Sequence, residues 1–461
     1  MVFNSPQFLV FFLIVTIGFF RLKNQTSRVW LLLLSSCYFY MTFVPVYILI
    51  LFFTIAVDYV AGIHIHKSAG QKRKLLLIVS IVVNLGVLIF YKYFNFLLGN
   101  LAPVIGYIVP HCQLPYMDLL LPVGLSFHTF QAMSYTIDVY RGNQQPERNP
   151  VVYALYVMYY PQLVAGPIER PQNMLHQFHE FRPYDRNRLK EGMARMMWGF
   201  FKKVVIADRM ALAADYTFGN YTDLSSLSLI VGAIFYSIQI YCDFSGYSDI
   251  AIGASKVMGI DLMENFNQPY ISRSIAEFWT RWHISLFTWF RDYVYIPLGG
   301  NRTGADRRKR NVIVVFLLSG FWHGANWTFI VWGALHGIFT LVLPKRSILS
   351  NTVLKGVFQA LSTFCLVTIC WVFFRASGIR EAFTYICRMF ALENGEFRIG
   401  LNRVEMVFGI LLTAIMMLVE NRRNTHLIKS ESLYYLYMVS MVFVCYLFGV
   451  FSEHQFIYFQ F

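Results

Sequence analysis

RRKRNVIVVFLLSGFWHGANWTFIVWGALHGIFTLVL, running from Arg307 to Leu343, sets four consecutive cations against a long apolar run. A membrane crossing needs roughly 20 apolar residues, fewer when the helix is buried among others. The run therefore reads as two spans, 312–328 and 329–343, entered from a cytoplasmic cluster of Arg302, Arg307, Arg308, Lys309 and Arg310. Applied outward, the same reading places further spans at 6–20, 29–43, 45–63, 75–95, 119–139, 196–214, 227–247, 354–374, 402–419 and 431–451. With Met1 outside, the basic segments at 21–28, 64–74, 301–311, 344–353 and 420–430 all fall inside. Segments 96–118 and 215–225, which lack Lys and Arg, fall outside. The expectation is an all-α, N-out, C-out polytopic bundle of about 11–12 helices. Segment 375–401 carries several arginines on the outer side, so re-entrant helices or a further span there would change the count.

Composition agrees. Of 461 residues 57% are hydrophobic and 14% charged, with a mean hydropathy of +0.49. Soluble domains carry roughly 25% charged residues, so a soluble enzyme or a disordered chain is excluded. The net charge of +14 comes from cations clustered between apolar runs, which argues against nucleic acid. Seven scattered cysteines form no Cys-x-x-Cys pair and read as small buried hydrophobes. Met1–Phe20 lacks a basic n-region and a cleavage site, so it reads as a retained helix. Without repeats or long linkers, residues 1–461 read as a single integral-membrane domain.

Residues 150–195 break at Gly166-Pro167 and turn charged. Residues 265–300 mix Trp279, Trp282 and Trp289 with Arg273, Glu277, Arg281, His283, Arg291 and Asp292. Charged or irregular backbone at membrane depth is tolerated only where protein buries it or it lines a wet cavity. Both stretches are therefore expected to be re-entrant or interfacial pieces around a site.

The common hydrolase, P-loop, dinucleotide and zinc-protease signatures are missing. His64, His66, His176 and His179 read as solvated loop histidines, and no metal-ligand set is expected. His323 is different. Eleven residues from Val312 at 1.5 Å each, it lies roughly 16 Å into a ~30 Å core. An imidazole at that depth is a functional candidate, suited to taking a proton from a hydroxyl; a histidine bonded to a carbonyl between helices is the alternative. Gly320 and Gly324 beside it allow a close backbone or substrate approach. His283, amid Trp279, Trp282 and Trp289, is a second candidate, against an interfacial aromatic belt as the plainer reading. Asp243 and Ser245, in Tyr241-Cys242-Asp243-Phe244-Ser245-Gly246-Tyr247-Ser248-Asp249, could cap a helix or orient a histidine or a substrate hydroxyl. His128 ranks below these.

Together, Pro122 to Phe127, Ala165-Gly166-Pro167-Ile168, Tyr241 to Asp249, Phe278 to His283, Trp289 to Tyr293, Gly320 to Gly324, Trp371 to Ala376 and Phe456 to Phe461 follow one another in a specific order. The pattern closely resembles the membrane-bound O-acyltransferase family, in its bacterial alginate O-acetyltransferase branch. The resemblance implies a ring of helices with a central tunnel, in which a cytoplasmic acyl donor meets an outer acceptor. It maps the essential histidine onto His323 and the helical-hairpin histidine onto His283, where many relatives outside the branch carry Asn or Asp. On this expectation His323 and His283 are catalytic, and Asp243, Ser245, Trp322 and Asn326 hold the reactants. Acetyl-CoA is the implied donor substrate, drawn by the basic loops, with no bound cofactor. The implied partners are membrane lipid, an extracytoplasmic hydrolase-fold protein and an exported polysaccharide acceptor such as alginate, with peptidoglycan or teichoic acid as the alternative acceptors. The implied location is the bacterial cytoplasmic membrane. A polytopic transporter or scaffold subunit is the reading from a different class; it would show internal symmetry and paired broken helices, and the sequence has neither.

Overall fold

The computed structural model describes residues 1–109, 114–117, 119–302, 304–343, 353–422, 430–451 and 456–457. Regular structure among them is helical throughout. In chain order the helices are α1 (Pro6–Arg21), α2 (Gln25–Met41), α3 (Ile48–Lys67), α4 (Gly70–Leu88), α5 (Phe94–Ile108), α6 (Leu125–Arg141), α7 (Pro150–Met158), α8 (Tyr160–Leu163), α9 (Pro171–His179) and α10 (Arg186–Phe200). They continue as α11 (Asp208–Gly219), α12 (Ser226–Val257), α13 (Ile275–Arg281), α14 (Ile284–Phe290), α15 (Ala305–His323), α16 (Trp327–Val342), α17 (Val353–Arg375), α18 (Ile379–Phe390), α19 (Arg403–Arg422) and α20 (Glu431–Phe448). They form two compact units, one of residues 1–192 with 251–263, the other of 193–250 with 264–461.

Among the described residues, five helical stretches are long and apolar enough to cross a membrane: Pro45–Lys67, Gly70–Ile108, Ser226–Val257, Leu354–Arg375 and Glu431–Phe448. Pro6–Arg21 and Trp327–Val342 are shorter apolar helices. The pattern of burial is inverted relative to a soluble protein. Leu411, Ile415, Val439 and Phe443 are exposed, whereas Lys202, Asp243, Asp249, His283 and His323 are buried. Lipid, which has no affinity for charge, is the surrounding that this inversion fits. The chain is a multi-pass membrane protein.

The expected spans fall on helices, with informative differences. The segment 96–118 is not all loop: helix continues from Gly70 through a π-turn at Ile89–Tyr93 to Ile108. The span expected at 119–139 begins only at Leu125, after Gly124 turns the chain at φ +71°. In 375–401, α18 has 12 residues, about 18 Å at 1.5 Å per residue. That is too short to cross ~30 Å of hydrocarbon, so no further span lies there. Its Ala382, Tyr385 and Met389 are buried, and Phe383 and Phe390 on the other side are exposed.

In the first unit, α3, α4 and α6 are joined by a buried polar cluster. The Asp58 carboxylate accepts from Ser80 Oγ (2.6 Å) and Asn84 Nδ2 (2.8 and 2.9 Å), and Ser80 Oγ lies 3.0 Å from Thr136 Oγ1. Full pairing is what makes such a group tolerable away from water. His64 and His66 lie at the end of α3, and His176 and His179 on α9, where His179 meets Glu147 at 2.7 Å.

In the second unit, α15 and α16 form a tight antiparallel hairpin. A Cβ added to Gly320 would lie 2.2 Å from the Phe329 carbonyl oxygen, and one on Gly333 would lie 2.3 Å from that of Phe316. One on Gly337 would meet side-chain atoms instead, Ile313 at 3.0 Å and Phe316 at 3.3 Å. The glycines thus let the two backbones touch, as small residues do where membrane helices pack without a hydrophobic drive between them. Asn326 opens α16 by accepting from Thr328 N–H at 3.0 Å. The contact predicts that Gly333→Leu, which forces a side chain against a backbone oxygen, destabilises the protein by more than ~1–3 kcal/mol. A drop of several degrees in the thermal unfolding midpoint of the detergent-solubilised protein is the expected result.

Candidate active site

His323 is the last residue of α15, and Gly324 caps the helix in extended conformation. This differs from the expectation of a mid-span histidine: the helix breaks at residues 324–326, so the imidazole lies at the tip of the hairpin. From Arg310, the last of the exposed cations, to His323 the helix rises about 20 Å, roughly two thirds of the hydrocarbon thickness. The break is local in origin, because Gly324 packs under the Phe329 ring, where a Cβ would come within 2.0 Å.

Four rings surround the His323 imidazole. Centroid distances are 4.9 Å to Trp322, 5.1 Å to Trp332, 5.3 Å to Phe374 and 6.4 Å to His283. His283 also lies 6.1 Å from Trp322 and meets the Phe244 ring edge-on at 4.7 Å. Both imidazoles are buried. The two histidines and Trp322, singled out by sequence, are therefore brought together.

His283 sits at the turn between α13 and α14 with φ +44° and ψ +53°. A non-glycine residue in this left-handed region costs of order 1–3 kcal/mol and persists only where its surroundings over-determine it. They do so here. The Asn265 carbonyl accepts from Ile284 N–H at 2.9 Å, and Asn265 Oδ1 accepts from Ser285 N–H and Oγ at 3.3 and 2.9 Å. Asn265 Nδ2 donates to Ser248 Oγ on α12 at 3.2 Å, and Asn267 N–H donates to the Arg281 carbonyl at 2.9 Å. Ser274 caps α13 by accepting from Glu277 N–H at 3.1 Å. The turn that presents His283 is thus fastened to α12 through one fully buried asparagine.

The other predicted residues have different engagements. Asp243 bonds Lys203 Nζ at 2.7 Å through one oxygen and accepts from Ile457 N–H at 2.7 Å through the other. Ser245 Oγ accepts from Lys202 Nζ at 3.3 Å. Asn326 caps α16 and donates to the Ser377 carbonyl at 2.9 Å. His128, in the first unit, packs edge-on to Tyr40, with Nε2 3.3 Å from the Val123 carbonyl.

Sequence reasoning did not single out the ionic cluster beside this site. Helix α10 widens into a π-turn, Phe201–Ala207, that carries Lys202 and Lys203 inward. Gly199 and Gly246 allow it to cross α12 closely, a Cβ on Gly199 falling 2.5 Å from the Gly246 carbonyl. Lys202 pairs with Asp249 at 2.9 Å and with Glu420. Lys203 also pairs with Asp208 at 2.8 Å, Arg195 bridges Asp249 and Glu264, and Glu420 accepts from Tyr241 at 2.7 Å. The adjacent lysines inside an apolar run were the available signal. Asn265, Phe244 and Trp332 gave none.

Two outcomes follow. Asn265→Ala frees the His283 turn and is expected to lower the activity of the two-histidine site at least tenfold while the protein still inserts in the membrane. Lys202→Met leaves Glu420 without its cation in buried surroundings, while Asp249 keeps its Arg195 partner; removing one partner of a buried pair costs ~3–5 kcal/mol. Adding Glu420→Gln is expected to restore part of the lost thermal stability.

Residues 147–388 match the MBOAT, or membrane-bound O-acyltransferase, family. The chain is 40% identical over 425 residues to a Pseudomonas aeruginosa protein named "Probable alginate O-acetylase AlgI", covering 91% of this chain and 81% of that one. It is 41% identical over 419 residues to the Azotobacter vinelandii protein of the same name, covering 88% and 81%. It is 36% identical over 429 residues to a "Peptidoglycan O-acetyltransferase" of Helicobacter pylori, covering 85% and 80%. With its two buried histidines inside the matched residues, the chain belongs to the membrane-bound O-acyltransferase family and is an O-acyltransferase.

Proposed function

We propose that the protein moves an acetyl group from acetyl-CoA on the cytoplasmic side to an exported polysaccharide of the alginate type, in the bacterial cytoplasmic membrane. The observation that carries the chemistry is the pair of buried imidazoles 6.4 Å apart, centroid to centroid, at the tip of the α15–α16 hairpin. At that separation one hydroxyl oxygen between the rings can come within hydrogen-bond reach of both. His323 takes the proton of the acceptor hydroxyl, whose oxygen attacks the thioester carbonyl. The C–S bond breaks, and the thiolate recovers the proton from the imidazolium. His283, pinned by Asn265, orients the hydroxyl. Trp322 walls the site. Asp243, Ser245 and Asn326 act from behind it: the first two fix α12 against the π-turn, and Asn326 sets the start of α16.

The same helix links donor and base. Its first turns carry Arg307, Arg308, Lys309 and Arg310, all exposed, and its last residue is His323. Four cations there attract the phosphates of a coenzyme A donor, and the positive end of the helix dipole adds to them. The alginate assignment rests on the two relatives at 40% and 41% identity; peptidoglycan is the acceptor that the Helicobacter relative would favour. An extracytoplasmic hydrolase-fold partner that completes transfer to the polymer belongs to the same proposal.

His323→Ala is expected to leave the protein folded and inserted while labelled acetyl transfer from acetyl-CoA in membrane vesicles falls at least 100-fold. His283→Ala is expected to fall about tenfold or more. Near-normal transfer by His323→Ala would overturn the assignment. Mass spectrometry of surface polymers from cells with and without the gene identifies the acceptor, with acetylated peptidoglycan as the outcome that replaces alginate.

A further inference from the structure

A base alone does not complete acyl transfer: the carbonyl oxygen becomes an anion as the acceptor oxygen adds, and a preorganised donor for that anion is commonly the largest single contribution to such catalysis. We propose that Trp332 is that donor, its indole N–H hydrogen-bonding the thioester carbonyl oxygen in the tetrahedral intermediate. The proposal rests on the assignment of His323 as the base.

Trp332 lies on α16, wholly buried, with its ring perpendicular to that of His323 at 5.1 Å. Among the described residues its Nε1 has no hydrogen-bond partner. Leaving a buried donor unpaired is costly, and phenylalanine at the same position would avoid that cost. The surroundings explain why none of the described residues meets it. Phe374, at 5.3 Å, offers only an aromatic face and edge. His336, at 5.0 Å, is the neighbour on the same helix that could accept, but its Nδ1 already accepts from Trp279 Nε1 at 3.2 Å. A neutral imidazole accepting at Nδ1 carries its hydrogen on Nε2, where it too is a donor. Trp279 therefore takes the acceptor that Trp332 would need, and one of two neighbouring indoles is satisfied while the other keeps its N–H for a ligand. An indole N–H donates and does not accept, so Trp332 suits an oxyanion and cannot compete with His323 as the base.

The step balances. His323 takes the hydroxyl proton, the acceptor oxygen bonds to the carbonyl carbon, and the carbonyl π pair moves onto the oxygen that Trp332 holds. When that pair returns, the C–S bond breaks and the thiolate takes the proton back from His323.

Trp332→Phe removes the N–H and keeps an aromatic ring. Its kcat for transfer from acetyl-CoA is expected to fall about 10²-fold, the scale for loss of one oxyanion donor, with KM for acetyl-CoA changed less than threefold. Replacing Trp332 by benzothienylalanine, an indole isostere without the N–H, keeps the shape if phenylalanine disturbs packing, and the same fall is expected. A kcat within twofold of the parent in the isostere variant, or a loss confined to KM, overturns the proposal. His323→Ala measured alongside separates the two ideas. An active His323→Ala removes the base on which the proposal rests, whereas an active Trp332 isostere beside an inactive His323→Ala removes the donor alone.

Discussion

The carbonyl oxygens of Phe316 and Phe329 lie where the side chains of Gly333 and Gly320 would begin. That contact decides how α15 and α16 meet, and with it where the hairpin turns and which residue stands at its tip. Helices in lipid gain little from hiding apolar side chains from each other, so close backbone approach is a main way to fix their register. Here it fixes more than packing. Because α15 ends at His323 and α16 returns through Trp332, the imidazole is enclosed by rings from both arms and from α17. A bulkier contact would separate the arms and open that enclosure.

The buried charges follow a different logic. Lys202 and Lys203 enter the second unit because the π-turn gives one extra residue to the helical surface, a device common at functional sites. Each then meets two carboxylates. Such networks contribute little net stability compared with well-packed apolar side chains, but they penalise any arrangement that leaves a member unpaired. Asp243, bonded to both Lys203 and the backbone at Ile457, fixes the stretch of α12 that carries Phe244, and Phe244 is the ring against His283. The network therefore acts on the site through geometry.

The membrane class, most helix positions and His323 as a residue to single out were legible because they depend on local patterns: apolar run length, the placement of cations, and a histidine flanked by glycines in an apolar run. The end of α15 at His323 was not, since the apolar pattern runs unbroken past it and the break depends on the fit of Gly324 beneath Phe329. Asp243 and Ser245 were noticed for their chemistry, but their partners, Lys202 and Lys203, lie some 40 residues away. Periodicity cannot reveal such pairings. Asn265 was invisible for the same reason: a single polar residue in an irregular segment acquires its role from Ser248 and Ser285, on two other elements. The continuation of helix from Gly70 to Ile108 escaped because the polarity rule concerns which side a segment occupies and says nothing of its conformation.

The left-handed backbone at position 283 has an evolutionary meaning. Among residues other than glycine, Asn, Asp and His tolerate such a φ best, and branched or bulky ones worst. The turn between α13 and α14 thus sieves its occupant by conformation before any chemistry is selected, admitting a short list that happens to consist of hydrogen-bonding side chains. Exchange among them requires no rebuilding of the turn, so the residue beside His323 can change its proton affinity in a single step while its position in space stays the same.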